Sequence, residues 1–229
     1  MGDFFLTVIY DLSTVFGDEF TQGQLNPRTL INPDGSNYNT TFSDDAKYMA
    51  ASLSRSGAVR IAAWVVSGDQ WAEIPVEGQT TIVGVLRTYL SRTGRWLLCT
   101  AGLGTPWTAW EQSGNQYFLS QSNWGDESLT NNREPRAGVF SPSEEYCIFN
   151  TAAQDVFILF KETAGLWAKV SDGTVQGFPS STTSLMLWHK SSNFIIFTAE
   201  NSTRDMPGFA FYQRVSDTLH SPNLSLIHI

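Results

Sequence analysis

Apolar and polar positions alternate along this chain in short runs, and one such pattern occurs four times. The segment FSDDAKYMAAS begins at Phe42, and altered copies follow as LSRTGRWLLCT from Leu90, FSPSEEYCIFN from Phe140 and WHKSSNFIIFT from Trp188. The starting residues are separated by steps of about 48, 50 and 48 residues, a period typical of propellers and solenoids. The pattern therefore predicts an array of similar structural units.

Each copy contains two predicted strands joined by a tight turn. A short apolar run ends at each starting residue, and a five-residue polar connection rich in Ser, Asp, Pro, Gly and Asn follows, as is typical of a hairpin. The second strand is almost free of polar residues, which indicates a strand that is covered on both faces. It begins with an aromatic residue in every unit: Tyr48, Trp96, Tyr146 and Phe194.

Further large apolar residues predict the other half of each unit. Each unit has one such residue at the end of a third strand and another seven residues later, after a turn such as VVSGDQ. We expect the two to be partners across a hairpin between the third and fourth strands. The pairs are Trp64 with Trp71, Trp110 with Tyr117, Phe160 with Trp167, and Tyr212 with Leu219.

Units of this kind predict an all-β chain folded as a β-propeller, or an open propeller arc, of four-stranded antiparallel blades. A half blade is expected at 3–23, because FFLTVIYDLSTVFGDEF resembles a third-and-fourth-strand hairpin alone. Full blades are expected at about 38–76, 85–121, 137–172 and 184–222, which gives about four to four and a half blades in one domain over 1–223. A β-sandwich is the main alternative, but it does not predict one aligned repeat.

The last six residues, LSLIHI at 224–229, look like the translation of a sequencing adapter, and we expect a non-native tail there. The alternative is a genuine final strand, since SLIHI alternates as strands do. If the tail is foreign, the domain is truncated. Its units are then either a closed four-blade ring, completed by the N-terminal hairpin, or a fragment of a ring of six to eight blades.

Composition and charge narrow the classes of partner. Apolar residues make up 41% of the chain and charged residues 16%, a profile of short half-buried strands rather than of disorder. The formal net charge of -8, with Lys and Arg scattered singly, argues against nucleic acid and against anionic membrane surfaces as partners. The sequence also shows neither a signal peptide nor an apolar run long enough to span a membrane.

No motif in the sequence identifies a reaction. A GxSxG elbow, an HExxH helix and a GxxxxGK[ST] loop are all absent. Of the three histidines, His189 and His220 are expected in turns and loops, and His228 lies in the suspect tail. The adjacent carboxylates 44–45 and 144–145 fall in predicted turns, where acidic residues favour turn formation. We therefore expect no catalytic residues, no cofactor and no metal, and we predict that the chain is not an enzyme.

The two cysteines are expected to be structural. Cys99 and Cys147 lie in the second strands of successive units, inside the apolar strings WLLCTA and YCIFNTA. Buried free thiols are the favoured interpretation, and a disulfide is the alternative. No Cys/His cluster with metal-binding spacing is present.

The repeats resemble the WD-like propeller repeats of tailed-phage proteins. FSDDAKYMAAS and FSPSEEYCIFN match the first half of that pattern, and RIAAWVVSGDQWAEI and VFILFKETAGLWAKV match the second half. The resemblance implies a virion-associated or otherwise phage-encoded propeller, with a role in tail or host-surface contact and no catalytic residues to transfer. The expected location is then the virion or the cytoplasm of the bacterial host.

The connections at the end of the blades opposite the repeated turns differ between units, and irregular loops on a rigid frame are common recognition sites. We expect a binding face there, with Trp124 as the aromatic anchor and Arg55, Arg133 and Arg204 as polar contacts. The predicted function is a non-enzymatic binding module for a protein or a host-surface glycan. The alternative is a propeller enzyme or a lectin-like glycan hydrolase, which converging Asp, Glu, Arg or Tyr side chains in the central channel would indicate.

Overall fold

The computed structural model describes residues 5–10, 27–32, 36–55, 58–68, 70–78, 86–101, 107–124, 135–151, 156–174, 183–199 and 208–221. These residues form eighteen strands and no helix, so they include no helical segment that could cross a membrane. Sixteen of the strands build four antiparallel four-stranded sheets, each in simple sequence order. The chain is an all-β propeller of four blades, as the repeat predicts.

The strand bounds are as follows. A two-stranded antiparallel sheet of β1 (Phe5–Tyr10) and β2 (Pro27–Asn32) precedes the blades. Blade 1 consists of β3 (Ser36–Phe42), β4 (Tyr48–Arg55), β5 (Ala58–Ser67) and β6 (Gln70–Ile74), and blade 2 of β7 (Leu86–Leu90), β8 (Trp96–Ala101), β9 (Thr108–Ser113) and β10 (Gln116–Ser122). Blade 3 consists of β11 (Pro135–Phe140), β12 (Tyr146–Thr151), β13 (Val156–Thr163) and β14 (Leu166–Thr174), and blade 4 of β15 (Thr183–Trp188), β16 (Phe194–Ala199), β17 (Gly208–Val215) and β18 (Thr218–His220).

The N-terminal sheet differs from the expected half blade. Its second strand is Pro27–Asn32, which lies beyond the predicted range 3–23. Most of that range, and the suspected tail at 224–229, lie outside the described residues.

The turn between the first and second strands has one conformation in all four blades. Its fourth residue has a positive φ in each case, and the N–H of that residue donates to the carbonyl three residues earlier, at 2.9 Å. These residues are Ala46 (φ 53°), Gly94 (φ 79°), Glu144 (φ 61°) and Ser192 (φ 59°). The repeated polar pentapeptide therefore specifies one backbone geometry four times.

Serine at the first turn position connects the turn to the second strand. The hydroxyl oxygens of Ser43, Ser91 and Ser141 accept the N–H of the following aromatic residue at 2.9, 2.9 and 3.1 Å. In blade 4 the position is His189, whose Nδ1 accepts the N–H of Ser191 at 3.3 Å instead. The repeated aromatic residue therefore starts the second strand at a position fixed by the turn in three of the blades.

Apolar side chains fill the three spaces between successive blades. Ala50 and Ala63 of blade 1 pack in one cluster with Leu97, Cys99 and Trp110 of blade 2. An aromatic cluster joins blades 2 and 3, and a third cluster joins blades 3 and 4. The sheets are thus stacked side by side in chain order, which excludes the two facing layers of a β-sandwich for the described residues.

The aromatic pairs of the second hairpin share a sheet face, but they are not directly opposite each other. Trp64 pairs with Glu73, and Trp71 pairs with Val66, so the two indoles are offset by two residues. Trp110 and Tyr117 show the same diagonal relation and lie in one core cluster. Diagonal neighbours on one face remain within reach when the side chains are aromatic.

Both cysteines are buried free thiols on the faces between blades. Burial raises the pKa of the Cys99 thiol to about 12, and it raises the pKa of Cys147 well above its ordinary value. Neither sulfur is therefore a nucleophile near neutral pH.

Candidate functional site

The first strands of the four blades lie next to the propeller axis. Each is an edge strand of its sheet, and β3 contacts β7, β7 contacts β11, and β11 contacts β15. Strands that meet in this way across successive blades are the innermost ones. Their ends therefore define the mouth of the central channel.

A groove with a volume of about 480 Å³ lies at this mouth, within the size range of small-molecule sites. All four blades contribute the last residues of the first strand and the beginning of the turn that follows. The lining residues are Thr41, Phe42, Asp44, Tyr89, Leu90, Arg92, Gly138, Val139, Phe140, Pro142, Leu187, Trp188 and Lys190.

The charged groups of the groove occupy one position of the repeat. Asp44, Arg92, Pro142 and Lys190 are the second residues of four equivalent turns, so the blade geometry brings them to one end of the channel. Three of these four positions carry an acidic or a basic side chain. The repeat therefore places one carboxylate and two cations around an otherwise largely apolar groove.

Asp44 and Arg92 form an ion pair across the interface of blades 1 and 2. The Arg92 Nε donates to Asp44 Oδ2, and the Asp44 N–H donates to the Arg92 carbonyl at 2.8 Å. Both side chains remain about half exposed, at 57% for Asp44 and 45% for Arg92, so a ligand can reach them. The backbone hydrogen bond fixes the two turns relative to each other, and this orients the pair.

Lys190 is the second cation of the groove. Its side chain is exposed, and no carboxylate in the described part of the chain forms an ion pair with it. A lysine ammonium with no protein counterion is free to bind an anionic group of a ligand.

Buried aromatic residues form the wall of the groove. Tyr89 is 7% exposed and packs edge to face on Phe149, with ring centroids 5.0 Å apart. Desolvation by burial raises the pKa of Tyr89 above its ordinary value, so the phenol stays neutral. Gly138 lines the groove where an added Cβ would overlap the ring of Phe149, so a residue without a side chain is required there.

The predicted binding residues are not brought together as a surface in the part of the chain that is described. Trp124 is only 4% exposed, and its ring lies 4.8 Å from Phe160 and 5.0 Å from Trp107 between centroids. Its indole is thus part of the core between blades 2 and 3. Arg133 and Arg204 lie outside the described residues, and Arg55 lies in β4 with its side chain outside the description.

The charged residues of the groove were missed in the sequence. Asp44 was interpreted as a turn residue, and Arg92 and Lys190 were assigned no role. The sequence does contain a sign of their proximity: all three are the second residue after the end of the first strand of a blade. Equivalent positions of successive blades lie at the same end of the channel. In the described part of the chain no three His, Cys, Asp or Glu side chains form a cluster that could hold a metal ion.

Comparisons with solved structures agree with this architecture. A candidate 6-phosphogluconolactonase from Bacteroides uniformis superposes with a TM-score of 0.63 at 12% identity, over 95% of this chain and 63% of that one. The periplasmic gluconolactonase of Pseudomonas aeruginosa gives 0.54 at 13% identity, over 87% and 60%. The Swd1 β-propeller domain of Myceliophteria thermophila, a WD40 propeller, gives 0.54 at 13% identity, over 78% and 58%.

These likenesses establish the propeller fold. The chain spans less than two thirds of the length of each of the three structures. No protein-family model matches the chain, and no curated protein matches it in sequence. The WD-like character of the repeat is thus supported at the level of fold, and no phage family is confirmed.

The comparisons also correct one prediction. We predicted from the sequence that the chain is not an enzyme, because no catalytic motif is present. That prediction was wrong: two of the three structures above are named as lactonases, so the absence of a catalytic motif does not exclude an enzyme on this fold. The sequence search failed because it sought local motifs, whereas the groove is assembled from separate blades.

Proposed function

We propose that the protein is a β-propeller hydrolase that opens a small sugar-derived lactone in the groove at the channel mouth. The observation that carries the proposal is the convergence of Asp44, Arg92 and Lys190 on one groove of about 480 Å³. The lactonase names among proteins of the same fold support this substrate class. The identity of only 12–13% makes the charges of the groove, rather than the likeness, the basis of the proposal.

The three charged groups suit ester hydrolysis in different ways. Water attacks the acyl carbon of the lactone, and the carboxylate of Asp44 accepts a proton from that water. The Arg92 guanidinium holds the Asp44 carboxylate in place and donates to the oxyanion that forms. The bond from the acyl carbon to the ring oxygen then breaks, and the leaving oxygen takes the proton back from Asp44. Lys190 binds a carboxylate or phosphate group of the substrate.

A lactone hydrolysis assay tests this proposal. We expect the chain to accelerate opening of gluconolactone or of 6-phosphogluconolactone, measured as acid release in a pH-stat above the spontaneous rate. Asp44→Asn should lower kcat about a hundredfold or more, because the general base is lost. Arg92→Lys should lower kcat by a smaller factor, because it keeps the charge but not the planar guanidinium.

Asp45→Asn is the matched control. Asp45 is the adjacent carboxylate of the same turn, where it accepts from the Ser43 hydroxyl at 2.6 Å and does not line the groove. Its variant should retain the wild-type rate. Hydrolysis no faster than in buffer, or equal rates in Asp44→Asn and wild type, would refute the role of the groove.

We propose, as a second candidate, that the opposite end of the blades contacts a protein or a host-surface glycan, in a virion or tail-associated setting. The WD40 propeller among the similar structures supports an interaction scaffold. Of the residues that we expect there, Arg55, Arg133 and Arg204 are the polar contacts, whereas Trp124 packs in the core between blades 2 and 3.

Attachment of the labelled chain to bacterial cells tests this second candidate. Arg133→Ala and Arg204→Ala should weaken attachment. Arg95→Ala should leave attachment unchanged, because Arg95 is exposed at the turn end and pairs there with Glu111 at 2.9 Å. Equal attachment by all three variants would remove these contacts from consideration.

A further inference from the structure

One face of blade 4 differs from the equivalent face of the other blades. We define the far face of a blade by three residues: the aromatic residue that starts the second strand, the residue two positions later, and the partner of that residue on the third strand. The pairs on the second and third strands are Ala50–Ala63, Leu98–Ala109, Ile148–Leu159 and Ile196–Phe211. The far face of blade 4 thus consists of Phe194, Ile196 and Phe211.

The far faces of blades 1, 2 and 3 are closed. Tyr48, Trp96 and Tyr146 are 9%, 0% and 4% exposed, and the other six residues of these faces are fully buried at 0%. Each of these faces packs in one apolar cluster with the blade that follows. In blades 1, 2 and 3 the far face is therefore the surface on which the next blade packs.

The far face of blade 4 is open. Phe194 is 43% exposed and Phe211 is 49% exposed, and Leu187 beside them on the first strand is 46% exposed. Exposed aromatic and aliphatic side chains that adjoin on one sheet face form a patch of the kind that marks an interaction surface. At the three far-face positions the other blades also have apolar side chains, and they bury them.

The occupant of a far face is the same in all three closed interfaces. The following blade presents an aliphatic or Cys side chain, a second apolar side chain two residues later, and an aromatic residue on its third strand. Examples are Leu97, Cys99 and Trp110 in blade 2, and Ile195, Phe197 and Tyr212 in blade 4. The far face of blade 4 has the same position in its blade as the three closed faces. It is therefore suited to the same kind of partner, a following blade.

We propose that the far face of blade 4 is the docking surface of a further four-stranded blade of this repeat, which continues the propeller beyond blade 4. The blade that fits best resembles blade 4 itself. The near face of blade 4 already packs on Tyr146, Ile148 and Leu159, which are close in size and character to Phe194, Ile196 and Phe211. This inference is independent of the catalytic proposal, since it involves none of the three charged groups of the groove.

Protection of a cysteine on the far face tests the inference. Phe211→Cys introduces a thiol whose counterparts in the closed interfaces are 0% exposed, while the native Cys99 and Cys147 are themselves buried. In the extended chain, residue 221 is followed by a second copy of residues 175–221. The part of this copy that precedes β15 links the added blade to blade 4. We expect the Phe211→Cys thiol to react with a thiol reagent about a hundredfold more slowly in the extended chain than in the 229-residue chain.

Leu166→Cys is the matched control. Leu166 is 54% exposed on the second hairpin of blade 3, away from the far face of blade 4. Its thiol should react at the same rate in both chains, which separates docking from a general loss of reactivity.

Two outcomes would overturn the inference. In the first, the Phe211→Cys thiol reacts equally fast in both chains while circular dichroism shows that the appended copy is folded. In the second, the thiol is already protected in the 229-residue chain, in a manner that depends on concentration and accompanies a dimer in sedimentation. A second copy of the chain, rather than a further blade, would then occupy the face.

Discussion

Gly94 shows how a single residue connects two blades. It has a φ of +79° in the turn of blade 2, and an added Cβ would overlap the ring of Tyr48 in blade 1. Its carbonyl also accepts the hydroxyl of Tyr117 at 2.5 Å. Ala46, Glu144 and Ser192 adopt a positive φ at the same turn position with a side chain, so it is the close packing against Tyr48 that requires glycine in blade 2.

We expect Gly94→Ala to destabilise the chain by about 3 kcal/mol, because backbone strain and overpacking add. Gly114→Ala is the control within the same blade. Gly114 has a φ of +61° with nothing within 4 Å of the added Cβ, so only strain applies and the loss should be about 1 kcal/mol. Urea unfolding of both variants measures the difference, and equal losses would show that the contact with Tyr48 is not tight.

Asp217 anchors blade 4 to blade 3 through a charged cluster. It accepts from Lys161 Nζ at 2.9 Å and from the Tyr146 hydroxyl at 2.8 Å, and Arg214 lies over the Tyr146 ring at 4.2 Å from its centroid. The hydrogen bond from Lys161, followed by that from Tyr146, lowers the pKa of the Asp217 carboxyl.

The sign of the resulting pH dependence follows from that lowered pKa. A carboxyl whose pKa is lower in the folded state contributes stability above its unfolded pKa, about 3.9, and loses it as the pH falls through the folded value. We expect Asp217→Asn to lower the melting temperature at pH 7 by about 2 °C and to have no effect at pH 2. Melting curves between these pH values check this, and a loss that persists at pH 2 would refute the electrostatic origin.

The first hairpin of a blade is the element that the sequence specifies most directly. In three blades a serine hydroxyl accepts the N–H of the aromatic residue, whereas the His189 ring of blade 4 accepts the N–H of Ser191. The histidine ring instead bonds to Ser191 within the turn. Blade 4 thus has the least regular of the four turns.

We expect His189→Ser to stabilise the chain by about 1 kcal/mol, because it restores the hydrogen bond of the repeated turn. This corresponds to a rise of about 2–4 °C in the melting temperature for a chain of this size. His220→Ser removes another exposed histidine of blade 4 and should leave the melting temperature unchanged. A stabilisation of equal size in both variants would point to a general effect of histidine.

Adjacent turns are also joined to each other, and this could not be predicted from one unit. The Glu144 carboxylate accepts the Thr93 N–H at 2.6 Å and the Thr93 hydroxyl at 2.9 Å, and Ser192 accepts the Ser143 N–H at 3.0 Å. Both acceptors occupy the fourth turn position of the following blade. The sequence shows the turn, but the partner becomes apparent only when the blades are stacked.

The fold was largely predictable because spacing and turn chemistry determine it locally. The repeat predicted four-stranded antiparallel blades, and the turn sequences predicted hairpins, both of which the structure contains. The exposure of Trp124 was misjudged because polar residues surround it in the sequence, whereas its ring packs in the core beside Trp107. Its burial is a property of packing between blades rather than of the local pattern.

The candidate site was predictable only from the whole molecule. Asp44, Arg92 and Lys190 belong to three different blades, and each is an ordinary turn residue in its own unit. They line one groove because the first strands converge on the channel. Phe194 is instructive in the same way: it matches Tyr48, Trp96 and Tyr146 in sequence, yet it is exposed because no described blade follows it.

Stacking of equivalent units around one axis is the claim on which the fold, the groove and the docking surface all depend. Spin labels at Lys47, Arg95, Glu145 and Asn193, the exposed fifth residues of the four turns, allow its most direct measurement. Electron–electron double resonance should give similar distances for the three pairs of neighbouring labels. The distance from label 47 to label 145 should be clearly shorter than twice the distance between neighbouring labels, because labels on an arc do not lie on a straight line. Neighbouring distances that fall into two classes, as two facing layers would give, would contradict the propeller account.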